Sequence, residues 1–370
     1  MRLFGWKSGS AAMRPALAQT MTGWVADGRW PRGYDEQVRE AVLANPVAQR
    51  AVRLVGESVA SLTWIATGGP EAATGLIRPV AEAIASHLLL HGNAFLSIGC
   101  GGQGDPIRLH ALRPERVTVE TDGQGWPASY RYQVGQAVQR LDATDALGKP
   151  GVIHLRTFHP TDDQYGLGCL SAAAGAVAIH NAATRWNKAL LDNAARPSGA
   201  IVFDPGDRGA VLSREQFDRL KAEMEASFAG SGNAGRPMLL EGGVRWQSLS
   251  LTPADMDFVS LKANAAREIA LAFGVPPLML GQAGDNTYAN YAEANRAFWR
   301  LTVLPMGTRI AEGIASVLRA WWPELAIEID MDRIIELHGD REPLWRMAMG
   351  ADFLSDDEKR EMLGFARRAP

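Results

Sequence analysis

His87 and His91 stand four residues apart in a helical stretch, a spacing that puts two imidazoles on one helix face, where they could share a metal ion. No acidic or sulfur ligand lies near them in sequence, so a structural role is the favoured reading. The other histidines, His154 and His180 among them, are scattered without partners at ligand spacing. Cys100 and Cys169 show no metal-ligand spacing, and a disulfide framework would need more cysteines. The run Gly99-Cys100-Gly101-Gly102-Gln103-Gly104-Asp105 has the glycines of a phosphate loop. A phosphate cradle needs a strand before the glycines and a helix after them, whereas here strand patterns flank both sides, which predicts a hairpin turn. Gly-x-Ser-x-Gly and Walker sequences are absent. The expectation is a chain with no catalytic constellation, no metal and no cofactor.

Charged and polar groups offer binding chemistry instead. Lys188 and Asp192 form an i, i+4 pair with Arg185 one turn earlier, either a solvated face with local ion pairs or part of a binding surface. Lys262 and Arg267 supply further positive charge on a later helix. A third candidate is the neutral polar stretch Gly284-Asp285-Asn286-Thr287-Tyr288-Ala289-Asn290, read either as a plain connector or as a contact loop.

The elements that would hold these groups are strongly punctuated. Thr252 is a good N-cap, Pro253 falls at the first helical position and Asp255 sits where a capping-box acid belongs. Phe258, Leu261, Ala265, Ile269 and Ala272 then recur at helical spacing until Gly274-Val275-Pro276-Pro277 stops the helix. After the polar loop, a second helix runs through Phe298, Leu301, Leu304, Ile310, Ile314, Leu318 and Trp321, with a kink expected at Pro305 and an end at Pro323. Leu170 to Ala195 predicts a helix whose many alanines leave its surface small, suited to close neighbours.

Between these two long helices lies a balanced small α/β unit. It has strands at Ala200–Phe203, Met238–Leu240 and Val244–Trp246, and a charged helix from Arg214 to Phe228 carrying Arg219 and Lys221. Upstream, the apolar spacing predicts helices over 36–62 interrupted at Pro46, and a helix over 79–92. A strand at 94–98 follows, and then short strands at 107–110, 117–120 and 130–134 in the pattern of an antiparallel meander. Residues 1–33 read as an extended arm or a disordered terminus. The fold class is α+β.

A chain of 370 residues suggests two or three structural units, and 46% hydrophobic with 21% charged residues is ordinary for a folded protein. No run of about 20 apolar residues is evident, so no membrane partner is expected. The net charge of −3 disfavours tight neutralisation of many phosphates. Charge is uneven, however: residues 1–33 hold five Lys/Arg against one acid, and residues 324–370 hold seven against twelve, which suggests different neighbours at the two ends.

The helix, Phe273-Gly274-Val275-Pro276-Pro277 break, polar loop and kinked helix, preceded by Arg236-Pro237-Met238-Leu239-Leu240-Glu241-Gly242-Gly243, resemble the portal proteins of tailed bacteriophages and gene transfer agents. The likeness extends in order through Asn45-Pro46-Val47, His91-Gly92-Asn93-Ala94-Phe95, Leu112-Arg113-Pro114-Glu115-Arg116-Val117, Val152–Arg156, Gly166-Leu167-Gly168 and Ser355–Arg360, covering roughly residues 40 to 365. Gly168-Cys169-Leu170-Ser171 departs from the Ser-Pro-Leu that the family usually carries after the glycine.

The resemblance implies a portal fold. It comprises an N-terminal arm (1–33), an α+β wing (34–167 and 291–337), stem helices (168–195 and 252–276), a clip (196–251), a tunnel-loop region (277–290) and a short helical crown (338–370). It implies a homododecameric ring at one capsid vertex of a virion, made and assembled in the bacterial cytoplasm, through which double-stranded DNA passes with transient, non-specific contacts. Implied partners are the terminase large subunit, the head-tail adaptor and the major capsid protein. In this frame Gly284, Asp285, Asn286, Thr287, Tyr288 and Asn290 would line the tunnel, Arg185, Lys188, Lys262 and Arg267 would border the channel, and Arg214, Arg219 and Lys221 would belong to a docking surface on the clip. The rivals are a non-viral ring-forming scaffold and a nucleotide-processing enzyme, the latter disfavoured by the missing motifs.

Overall fold

A computed structural model describes residues 33–192, 199–203, 213–219, 222, 244–248, 258–282, 287–337 and 345–362. The chain divides into two compact units, one formed by Met1–Ala174 with Ala270–Pro370 and the other by Gly175–Ile269.

The first unit opens with α1 (Tyr34–Val38), a π-helical turn and α2 (Pro46–Ala60). Asn45 starts α2 as expected: its side-chain oxygen accepts from the amides of Val47 and Ala48, both at 3.0 Å, while Pro46 fills a first-turn position that needs no donor. Then come β1 (Trp64–Thr67), α3 (Ala72–Ile77), α4 (Ala81–His91), β2 (Asn93–Cys100) and β3 (Pro106–Leu112). β4 (Val117–Thr121), β5 (Pro127–Val134), β6 (Ala137–Asp142) and β7 (Val152–Arg156) complete the strands of this half.

The expected single meander is corrected, because the strands form two sheets ordered β3-β2-β7 and β4-β5-β6. The 3₁₀ turn Pro114–Arg116 lies between β3 and β4, and β7 takes the free side of β2 instead. Phe95, Val117, Val119, Tyr130 and Val152, drawn from both sheets, form one apolar cluster. Gly99–Asp105 is a hairpin turn, closed by Gly101 N–H to the Asp105 carbonyl at 2.9 Å.

The later part of this unit holds a continuous helix from Tyr288 to Leu318, made of α8 (Tyr288–Phe298), a π-helical turn (Trp299–Val303) and α9 (Leu304–Leu318). Pro305 cannot donate to the helical ladder, and the wider turn immediately before it absorbs the irregularity that the sequence leads one to expect. At 31 residues this helix is long and apolar enough to cross a membrane, which corrects the expectation that no such segment exists. Its apolar side is nevertheless occupied: Phe298, Trp299, Val303, Ile310, Ala311, Ile314, Ala315 and Leu318 are all buried in the protein core. α9 lies against β7 and β10 (Ala326–Ile329), with Gly307 so close to Leu62 and Ile329 that a Cβ there would overlap them, and Trp64 in ordinary contact beside. β10 pairs with β1 in a two-stranded antiparallel sheet, Trp64 opposite Ile329.

Helices at 345–350, here α10, and at Asp356–Met362, here α11, follow. Ser355 and Glu358 form a capping box on α11: the Ser355 amide donates to the Glu358 carboxylate at 2.8 Å and the Glu358 amide to Ser355 Oγ at 3.3 Å.

In the second unit, α5 (Leu170–Asp192) buries Ala176, Val177, His180, Asn181 and Ala183. β8 (Gly199–Phe203) and β9 (Val244–Ser248) pair antiparallel from Gly199–Ser248 to Phe203–Val244, and a short helix, α6, covers 214–219. α7 (Phe258–Ala272) runs back, Ala265, Ala266 and Ile269 buried, and Trp186 stacks on Phe258 with ring centroids 4.1 Å apart. The helix start expected at Thr252, the strand at 238–240, the N-terminal arm and most of the charged helix after 219 lie outside the described residues.

Candidate channel and docking surfaces

Thr287 marks where the polar loop meets α8. Its backbone is extended, at φ −81° and ψ 155°, and its hydroxyl accepts from the Asn290 amide at 3.2 Å, so it is the N-cap of the long helix. Tyr288 and Asn290, expected in the loop, therefore belong to the first helical turn. Tyr288 is 90% exposed. Gly284, Asp285 and Asn286 lie outside the described residues. On the other side of the loop, α7 stops where the sequence says it should: Gly274 has φ +66°, and the Val275 amide donates back to the Ala270 carbonyl at 2.9 Å. Thr302 Oγ1 donates to the Gly274 carbonyl, fastening this stop to the π-helical turn.

The four stem cations do not form one face. Arg185 and Lys188 are exposed on the same side of α5, a turn apart. On α7, Arg267 is exposed and donates to Asn264 at 3.2 Å, whereas Lys262 is half-buried on the side shared with Ala265, Ala266 and Ile269. Five helical residues separate the two by more than a third of a turn. Lys262 instead faces His180, whose pKa is lowered first by burial and then by that ammonium. Arg214 and Arg219 are exposed on α6. Lys221 lies outside the described residues.

Of the two helical histidines, His91 enters a hydrogen-bonded network while His87 Nδ1 is buried without a partner, and among the described residues no group of three potential metal ligands comes together. Asn93, fully buried at the start of β2, stands at the centre. Its orientation is fixed by backbone: Oδ1 accepts from the Gly166 amide at 2.8 Å and Nδ2 donates to the Gly166 carbonyl at 3.2 Å. Oδ1 must then accept from His154 Nε2–H at 3.0 Å, and Nδ2 must donate to His91 Nδ1 at 3.1 Å. The network therefore keeps His91 neutral, since its Nδ1 must accept, whereas for His154 it is burial that disfavours the charge. Burial, with charge from Arg156 and then His91, lowers the His154 pKa to about 3; burial and His87 lower His91 to about 4. Tyr34 lies edge-on to His91 at 4.9 Å, and Phe95 stacks on His154 at 4.1 Å.

Around this network two sequence motifs separated by some seventy residues are joined backbone to backbone. Gly92, at φ +81°, closes α4 and presses on Gly166 and Leu167; Gly168 presses on Leu90 and His91. Gly92 O accepts from the Thr157 amide at 2.9 Å, and the Cys169 amide donates to Leu89 O at 2.8 Å. Sequence reasoning noted His91-Gly92-Asn93 and Gly166-Leu167-Gly168 separately and did not pair them. The available signal was a polar Asn directly ahead of an apolar strand together with glycines that no turn type requires.

Among the described residues these features are those of a scaffold with exposed polar surfaces, and comparison with known proteins gives the family. The family model described as phage portal protein matches residues 77–364. A Rickettsia bellii protein is 37% identical over 351 residues, covering 89% of this chain and 88% of that one. The probable portal protein of Streptomyces phage phiC31 is 27% identical over 367 residues, covering 91% of this chain and 76% of its own length. A chain in the neck of a native gene transfer agent particle, computed with C12 symmetry, is 44% identical with a TM-score of 0.71, over 92% of this chain and 96% of that chain. The portal family consists of structural, non-enzymatic capsid components. With the family model covering most of the chain, and with an α+β fold shared with the particle neck, this chain belongs to the phage portal protein family.

Proposed function

We propose that this chain is the subunit of a twelve-membered portal ring at one vertex of a phage-like or gene transfer agent particle. The observation that carries this reading is the 44% identity to a chain in a neck of C12 symmetry. In this reading residues 34–167 and 291–337 are the wing, 168–195 and 252–276 the stem, 196–251 the clip, 277–290 the tunnel-loop region and 338–370 the crown. DNA is packaged and released through the ring. The clip, with Arg214, Arg219 and Lys221, receives the terminase large subunit and the head-tail adaptor, and the wing side meets the major capsid protein.

Purified protein is expected to give rings whose mass by native mass spectrometry is twelve times 40.0 kDa. A stable monomer at high concentration, with no rings under capsid-assembly conditions, would sink the reading.

Passage of DNA asks for weak, replaceable contacts, since strong cations would hold each phosphate. Gly284 to Asn290 fits that need. Its side chains are neutral or acidic, and it ends at the N-terminus of α8, where the helix dipole offers only about half a positive charge. Arg185, Lys188 and Arg267 are the exposed stem cations available to border the channel, with Lys262 turned inward in this subunit. Asn286→Lys would set a ring of cations at the narrowest point. Packaging by this variant is expected to slow most at low salt, with ring assembly intact, as read by a DNA-protection assay across ionic strength. Unchanged packaging at every salt concentration would make the loop a connector only.

A further inference from the structure

The sheet formed by β1 and β10 ends too soon for the helix that covers it. Asp330 N–H donates to the Thr63 carbonyl at 2.8 Å, and because antiparallel pairs alternate, the backbone groups of Ile327 and Ile329 point away from β1. Among the described residues nothing pairs with that outer edge of β10. Beside it runs a groove bordered by Leu304, Glu312 and Arg319 of α9 and by Glu328 and Met331, with Ala311 and Ala315 buried beneath. Both carboxylates are exposed and make no ion pair among the described residues. Two-stranded sheets are marginal alone, and an open edge beside a groove is the geometry in which an added strand gains backbone hydrogen bonds and side-chain pockets together.

We infer that the outer edge of β10 and the α9 groove receive an extended basic segment from a second copy of this chain, drawn from residues 1–32. Charge favours this occupant: Arg2, Lys7, Arg14, Arg29 and Arg32 stand against the single acid Asp27, and the rim they would meet carries Glu312 and Glu328 against Arg319, whose Nε–H is already given to the Leu325 carbonyl at 3.0 Å. Length permits it, since some thirty residues reach up to roughly 100 Å when extended. The inference rests on the ring reading in needing a neighbour, and a head-to-tail contact of this kind repeats around a closed ring.

Hydrogen exchange over Ala326–Ile329 tests it, comparing rings of the full chain with rings lacking residues 1–32 and with rings of Glu312→Lys/Glu328→Lys. Amides of Ile327 and Ile329 are expected to exchange at least about tenfold more slowly in the full chain than in either variant, with β2 amides unchanged as the check on folding. Equal exchange in all three rings overturns the inference while leaving the portal reading intact. Protection already present in dilute monomer overturns it too, because the strand would then come from the same copy. If no rings form at all, the portal reading fails first; a synthetic peptide of residues 1–32 added to the truncated chain then decides, binding with protection of Ile327 and Ile329 supporting the groove and absence of binding rejecting it.

Discussion

Gly166→Ala is expected to destabilise the first unit by about 3–5 kcal/mol, enough to leave much of the protein unfolded or insoluble at 37 °C. A Cβ there would overlap Gly92 O and lie 2.6 Å from the Thr157 amide nitrogen. Both are backbone atoms held by the Thr157-to-Gly92 hydrogen bond, so neither can swing aside as a side-chain tip would. Shifting them would also pull Gly166 from Asn93 and break the amide's fixed orientation, leaving buried polar groups unpaired at further cost. Gly92→Ala should be comparably severe, because it adds a left-handed backbone to contacts of 2.5 Å with Gly166 and Leu167. Gly102→Ala is the control: nothing lies within 4 Å of its Cβ position, and its midpoint in urea should barely move. Wild-type stability in Gly166→Ala would mean that the two segments are not in contact in solution.

The second large effect is acid sensitivity centred on the Asn93 network. His154 has its folded pKa lowered to about 3, and His87 and His91 theirs to about 4, from an ordinary value near 6.5. For such groups the unfolded chain binds protons that the folded chain refuses. Their contribution is therefore fully present above pH 6.5 and is lost progressively as pH falls toward 4 and below. At about 1.36 kcal/mol per pKa unit, His154 alone would carry about 3 kcal/mol by pH 4. All three residues keep some exposure, which argues for about that much from the trio together rather than a sum. The structural reason is specific: a proton on His91 Nδ1 would face the Asn93 amide N–H₂, donor against donor. Urea midpoints measured from pH 8 to pH 4 should fall, and His154→Gln, which can still donate to Asn93, should flatten the slope. A midpoint independent of pH over that range would show that these rings are not held neutral.

Local signals were legible where one residue does one backbone job. Asn45 before Pro46 and Gly274 before Val275-Pro276-Pro277 each predict a helix end, and each end is there. What escaped depends on partners far along the chain. β1 and β10 are four residues each, too short for an alternating pattern, and they exist only because they find one another. The division into two sheets was hidden for the same reason, since nothing within Val152–Arg156 says that it will lie beside β2 rather than extend a meander. Thr287 is a different failure. It is as good an N-cap as the Thr252 that was read as one, but the polar residues after it masked the helix, because the long apolar stripe begins only near Phe298. Of the candidate surfaces, exposure of Arg185, Lys188, Arg214 and Arg219 follows from charge, whereas the inward turn of Lys262 needed the helix phase relative to Ala265 and Ile269.

The pairing of β1 with β10 also governs how this chain comes into being. Trp64 meets Ile329 across roughly 260 residues that include the whole of the second unit, so the earlier half cannot complete its core until the later half exists. On a ribosome elongating at about 5–20 residues per second, that leaves roughly 11–45 s during which α2 and α4 are made but α9 is not. Lesions in β10 or α9 would therefore be felt as lost yield of a first half already made.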